Sequence, residues 1–228
     1  MKQRTTKQTE KETRERKQRE EREQKERAEE NKRRQKEEAR LLKDREQEVR
    51  SAAYVSANNG DTDAVIEAVE KGGVKVSGWE SLGNDTKKNM AEESLFHIAA
   101  RKGNFTLGTF LLKKGADVNA ITKLGKAPIH LACAGEGDYL DFVKLLLEDA
   151  GVNIHSKAVD SGEHPIHVAA KTGRLALTQY LVEKGAYLTA KDVFGKDALT
   201  WAKDHAHKKS LNVTFPPFPL SLFFWLIP

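Results

Sequence analysis

A chain of 228 residues has room for one or two domains, and its charge divides it into unlike parts. Residues 1–50 carry 19 Lys or Arg against 14 Asp or Glu, whereas residues 51–228 carry 20 of each, so the net +5 belongs wholly to the N-terminal stretch. Cys133 is the single cysteine, which excludes an internal disulfide and a cysteine-built zinc site.

The N-terminus, MKQRTTKQTEKE, has no apolar run and does not read as a secretory signal, so an intracellular location, cytoplasmic or nuclear, is expected. From Lys2 to Arg40 the only apolar residues are Ala28 and Ala39, too few for an ordinary heptad seam. The charges are nonetheless ordered: Glu10/Arg14, Glu12/Arg16, Glu23/Arg27 and Glu30/Arg34 place an acid four residues before a base. That orientation supports a helix by ~0.2–0.5 kcal/mol per pair. Residues 1–50 therefore read as a charged single helix or coiled-coil-like arm, with disorder as the alternative that the same composition allows. As a helix, its 45 or so residues would reach about 65–70 Å as a spacer.

Apolar residues arrive at Leu41, Leu42, Val49, Ala53 and Ala57, and the helix is expected to stop at Asn58-Asn59-Gly60. Asp61 to Val69 predicts a second helix, and residues 77–90, with Trp79, predict an inserted loop. Two-helix units follow near 91–120, 122–155 and 159–190, after a first near 51–76 and before a partial one at 192–210. Together they make a domain over 51–210. Residues 211–228 form an irregular Pro/aromatic tail, too short and Pro-broken for a membrane span of ~20 residues.

Four tetrads set the period. Ser94-Leu-Phe-His97, Ala127-Pro-Ile-His130, His164-Pro-Ile-His167 and Asp197-Ala-Leu-Thr200 start 33, 37 and 33 residues apart. With Ala99-Ala100, Ala169-Ala170, Leu111-Leu112, Leu146-Leu147 and Gly115-Ala116 in register, the chain resembles the ankyrin-repeat family over roughly residues 51–205. The expected fold is an all-α repeat solenoid of about four helix-turn-helix units and an incomplete fifth, preceded by the long charged helix. The 37-residue step is attributed to two extra residues at Gly135-Glu136-Gly137-Asp138, with the Asp149–Val152 turn one residue short. The resemblance further implies that His97, His130 and His167 tie each helix start to a neighbouring turn by hydrogen bonds.

Function is sought in binding rather than catalysis. The chain has no GxSxG, phosphate-binding Gly loop or HExxH, so neither an enzyme nor a cofactor is expected. His164/His167 and His205/His207 lack further ligands at suitable spacing, so no metal site is expected either. In the family's geometry the hairpin tips and inner-helix ends face one concave side. Here these are Arg101, Lys102, Lys123, Leu124, Lys126, Lys171, Val193, Phe194 and Lys196, joined by Val159, Asp160, Glu163 and Thr172. Lysines with Leu124 and Phe194 among them suit an acidic protein partner. The chain is thus expected to be a protein-binding module or adaptor. The alternatives are nucleic-acid or ribosome association through the arm, with Lys32-Arg33-Arg34 its densest point, and a fragment of a larger scaffold or enzyme.

Overall fold

The computed structural model describes residues 2–74, 76, 93–137 and 139–205. Trp79 with its loop, His207 and the tail over 211–228 lie outside the described residues. Among those described, every regular element is a helix: α1 (Lys2–Asn59), α2 (Thr62–Glu70), α3 (Leu95–Lys102), α4 (Phe105–Lys113), α5 (Pro128–Ala134), α6 (Leu140–Lys144), α7 (Pro165–Lys171), α8 (Leu175–Glu183) and α9 (Ala198–Asp204). The chain forms two compact units, Met1–Glu48 and Val49–Pro228.

The first unit is helical rather than disordered, and its helix rests on local terms. Good helix formers fill it, and Glu23–Arg27 (4.0 Å), Glu30–Arg34 (3.9 Å), Arg16–Glu20 (3.1 Å) and Arg40–Asp44 (3.9 Å) form ion pairs one turn apart. All eight of these side chains are more than half exposed, so each pair contributes only a few tenths of a kcal/mol. Leu41 and Leu42 are exposed as well.

The second unit is built differently. Its helices have five to nine residues, apart from the end of α1, and are too short to stand alone. Side-chain caps start several of them: Asp61 accepts from Ala64 N, Asn104 from Leu107 N and Asp197 from Thr200 N. Pro128 and Pro165 open α5 and α7, where a missing N–H is harmless. Inner helices pack in sequence, α3 on α5 on α7 on α9, and outer helices do the same, α2 on α4 on α6 on α8. Leu111, Leu146 and Leu181 repeat at one position of successive outer helices and are fully buried. A level above, Leu107 and Leu177 are matched by the larger Phe142, whose ring fills the space left by Gly108. A Cβ at Gly108 would collide with that ring.

The third copy departs from expectation in a specific way. The Asp149–Val152 turn is not short. Gly151 takes the left-handed place of Gly115 and Gly185, Val152 that of Ala116, and Asn153 that of Asp117. The extra residue lies instead in the helix, which continues from α6 as a π turn over Leu145–Asp149. Of the four residues by which 37 exceeds 33, two lengthen the loop between α5 and Tyr139, one makes the π turn, and one enlarges the hairpin at Ala158–Glu163. The loop insertion has its own packing. Gly103, Gly135 and Gly137 form a side-chain-free cradle against the Tyr139 ring, and Arg174 Nη2 donates to Gly135 O at 2.5 Å.

Candidate binding surface

Each of the three tetrad histidines is fully buried and bonded on both ring nitrogens. The Nδ1 atoms accept from Ser94 N (3.1 Å), Ala127 N (3.3 Å) and His164 N (2.9 Å) for His97, His130 and His167 respectively. That pattern fixes the neutral tautomer with the proton on Nε2. The Nε2–H groups then donate to Ala120 O (2.9 Å), to Ser156 O and Glu163 O (3.2 and 3.1 Å), and to Ala190 O (2.7 Å). The acceptors lie on the hairpins that follow, so each ring staples one hairpin to one helix start. Burial pushes the His97 and His130 rings below the ordinary histidine range. Thr200 stands at the corresponding place in the last copy and, among the described residues, bonds within its tetrad, to Asp197 Oδ1 at 2.6 Å.

The hairpins so held are joined to one another. Val159 N donates to Gly125 O at 2.8 Å, and Val193 N donates to Ser161 O at 3.1 Å. Gly125 has φ +66°, and a Cβ there would press on Val159 and Asp160, so glycine is what lets adjacent tips approach. The tips carry Ile121, Leu124, Val159, Val193 and Phe194, all exposed. Apolar side chains at about half to two-thirds exposure thus recur on three linked hairpins.

Arg101, Lys171 and Lys196 are engaged inside the chain. Arg101 reaches Glu93 at 3.1 Å and Asn58 Oδ1 at 2.6 Å, Lys171 pairs with Glu163 at 3.0 Å, and Lys196 pairs with Asp204 at 2.7 Å. Lys102 and Lys123 are exposed and Lys126 is half-buried. Thr172 is also used internally, donating to Val168 O and lying 3.1 Å from Cys133 O. Cys133 itself is buried, and its thiol is pushed up by desolvation.

Sequence reasoning missed Trp201. Two ammonium groups lie over its indole, Lys171 Nζ at 4.2 Å and Lys196 Nζ at 4.4 Å from the ring centre. Its Nε1–H donates to Asp192 Oδ2 at 2.7 Å. Burial opposes charge on Asp192, yet the N–H groups of Lys196, Trp201 and Phe194 outweigh it and hold the carboxyl below its usual range. Phe194 meets Trp201 edge-on at 6.5 Å. The 4- and 9-residue spacings from Asp192 were visible, but nothing in them marks a stacked indole.

His164 stands apart from the other histidines. It is buried, its Nδ1 has no hydrogen-bond partner, and its ring centre lies 5.1 Å from that of His167. Burial and the neighbouring His167 push its pKa down to about 4. Both nitrogens of His167 are already bonded, and among the described residues no group of three His, Cys, Asp or Glu is placed to hold a metal ion.

Stacked pairs of short helices, joined by turns and stapled by buried histidines, define a helical repeat solenoid. A model of ankyrin repeats in three copies matches residues 53–158 and again 129–213, well over half of the chain, and the chain belongs to the ankyrin-repeat family. Neurogenic locus notch homolog protein 1 of Xenopus tropicalis is 29% identical over 110 residues, 48% of this chain and 4% of that protein. The ankyrin repeat and KH domain-containing protein mask-1 of Caenorhabditis elegans is 36% identical over 101 residues, 43% of this chain and 4% of that protein. The inactive serine/threonine-protein kinase TEX14 of Bos taurus is 30% identical over 117 residues, 50% of this chain and 7% of that protein. The chain thus spans only 4 to 7% of the length of these relatives. Ankyrin repeats are generally protein–protein interaction modules. No helix among the described residues is long and apolar enough to cross a membrane.

Proposed function

We propose that the chain is a non-catalytic interaction module whose hairpin tips and inner-helix ends bind a partner protein inside the cell. The observation that carries this reading is the run of exposed apolar side chains Ile121, Leu124, Val159, Val193 and Phe194 on hairpins linked to each other by backbone hydrogen bonds. Exposed apolar residues gathered on a rigid support mark interaction sites rather than ordinary solvated turns. Lys171, Val193, Phe194 and Lys196 form one end of the surface around Trp201, Lys123, Leu124 and Lys126 form its middle, and Arg101 and Lys102 lie at the other end on α3. An acidic partner fits the middle, where the lysines lie beside Leu124. The histidines His97, His130 and His167 serve this surface indirectly by setting the height of each hairpin.

Cross-linking mass spectrometry on cells expressing the full chain tests the reading. Partners captured by the unaltered protein are expected to be lost when Lys123, Leu124 and Phe194 are changed together to Glu, Ser and Ser. Retention of the same partners by a variant with unchanged circular dichroism would rule this surface out.

A further inference from the structure

One ion pair recurs along the inner side of the stack, and one copy lacks it. The residue before each tetrad meets the residue eight positions on, at the end of the inner helix. Glu93 meets Arg101 at 3.1 Å, Glu163 meets Lys171 at 3.0 Å, and Lys196 meets Asp204 at 2.7 Å with the signs reversed. In the remaining copy the two places are Lys126 and Ala134. Lys126 has no acidic partner among the described residues, and Ala134 is exposed. The reversed pair shows that a lysine before the tetrad and an acid on the helix fit this geometry, so what copy three lacks is the acid.

We propose that Lys126 receives a carboxylate from a partner protein, and that an apolar side chain next to that carboxylate rests on Leu124. The inference rests on the interaction-module reading and names the chemistry the surface selects. Leu124 is 56% exposed and sits on the same hairpin, whose fold is fixed by Thr122 N to Lys126 O at 3.0 Å and Gly125 N to Thr122 O at 2.9 Å. The three neighbouring pairs are neutral as pairs and have their strongest bonds satisfied within the chain. Lys126 is therefore the place in the row where an incoming acid gains a new ion pair without breaking an existing one. Neither terminal segment of the chain complements it: residues 1–50 are net basic, and residues 206–228 contain Lys208 and Lys209 and no acid. A separate acidic partner is the occupant that charge favours.

The test uses a random peptide library displayed on phage and panned against the full chain, followed by affinity measurement with the best synthetic peptide. Enriched sequences are expected to place Asp or Glu beside Leu, Ile, Phe or Met. Binding should weaken about tenfold with Lys126→Glu. It should weaken about fivefold with Ala134→Asp, which supplies the missing acid within the chain as Asp204 does for Lys196. Replacing the peptide's acid by Lys should restore binding to the Lys126→Glu variant. Peptides that bind both variants within twofold of the original chain, yet are lost with Leu124→Ser or Phe194→Ser, overturn the role of Lys126 and leave the module reading standing. Peptides indifferent to all four variants, or no enrichment at all, overturn both. Displacement of the bound peptide by a synthetic peptide of residues 1–40 would identify the occupant as the chain's own arm and sink the proposal.

Discussion

Glu, Lys and Arg do different work in the two units. In residues 14–48 they form pairs one helical turn apart at 3.1–4.0 Å, with both members exposed. In the repeats three pairs span eight residues, and of these the acids Glu93 and Glu163 keep only 9% and 6% of their side chains exposed. Screening and side-chain entropy nearly cancel the first kind of pair, whereas a buried acid that loses its partner leaves a costly charge. The same charged residue types thus accompany a helix held by propensity in one unit and a stack held by burial in the other.

The largest break in that comparison comes from the core. Phe142→Ala should lower the unfolding free energy by about 3–5 kcal/mol in urea titration, because the ring fills the space beside Gly108 and nothing else can. No single substitution in residues 14–40 should approach that loss.

Acid comes next. His97, His130 and His164 are held below the ordinary histidine value chiefly by burial, His164 at about 4. As pH falls below the unfolded value of about 6.5, the unfolded chain takes up protons first. Stability is therefore whole above pH 6.5 and is lost progressively toward pH 4. The melting temperature of the repeats should drop between pH 7 and 5, and His164→Thr should recover ~3–6 °C of that drop. An equal drop in the variant would show that His164 is not the sensitive group. Helicity of a peptide of residues 1–50, which has no histidine, should not follow this curve.

A smaller effect is expected from the ion pairs themselves. Glu163→Gln should cost about 1–2 kcal/mol by chemical denaturation, since Lys171 loses its acid at a half-buried site. Glu30→Gln in the arm should change helicity by less than about 0.5 kcal/mol, and that difference should vanish in 1 M salt. Equal costs at the two sites would remove the distinction drawn between them.

The repeat stack was legible because tetrads, Ala pairs and Leu pairs are fixed in spacing by how helices pack. The π turn was not. One extra residue in the run Leu145-Leu146-Leu147 leaves that stretch uniformly apolar, and Val152-Asn153 imitates Val118-Asn119 closely enough to suggest a short turn. The exposed tips could be named because hairpin ends follow from the period. Which cations pair within the chain could not, because Glu93 with Arg101 and Lys196 with Asp204 join a hairpin to a helix end, beyond the reach of helical-spacing rules.

Trp201 gives the molecule a spectroscopic reporter at one end. In a stack where each helix touches only its neighbours, opening starts from the ends, and α9 is followed by no outer helix among the described residues. Two ammonium groups and Asp192 hold the indole there, so the grip on α9 is partly ionic. With Trp79 and Trp225 changed to Phe, emission should register α9 melting ahead of the far-ultraviolet signal. The gap between the two midpoints should widen with added salt, making the fraying end of the stack visible as a separate and electrostatically tuned event.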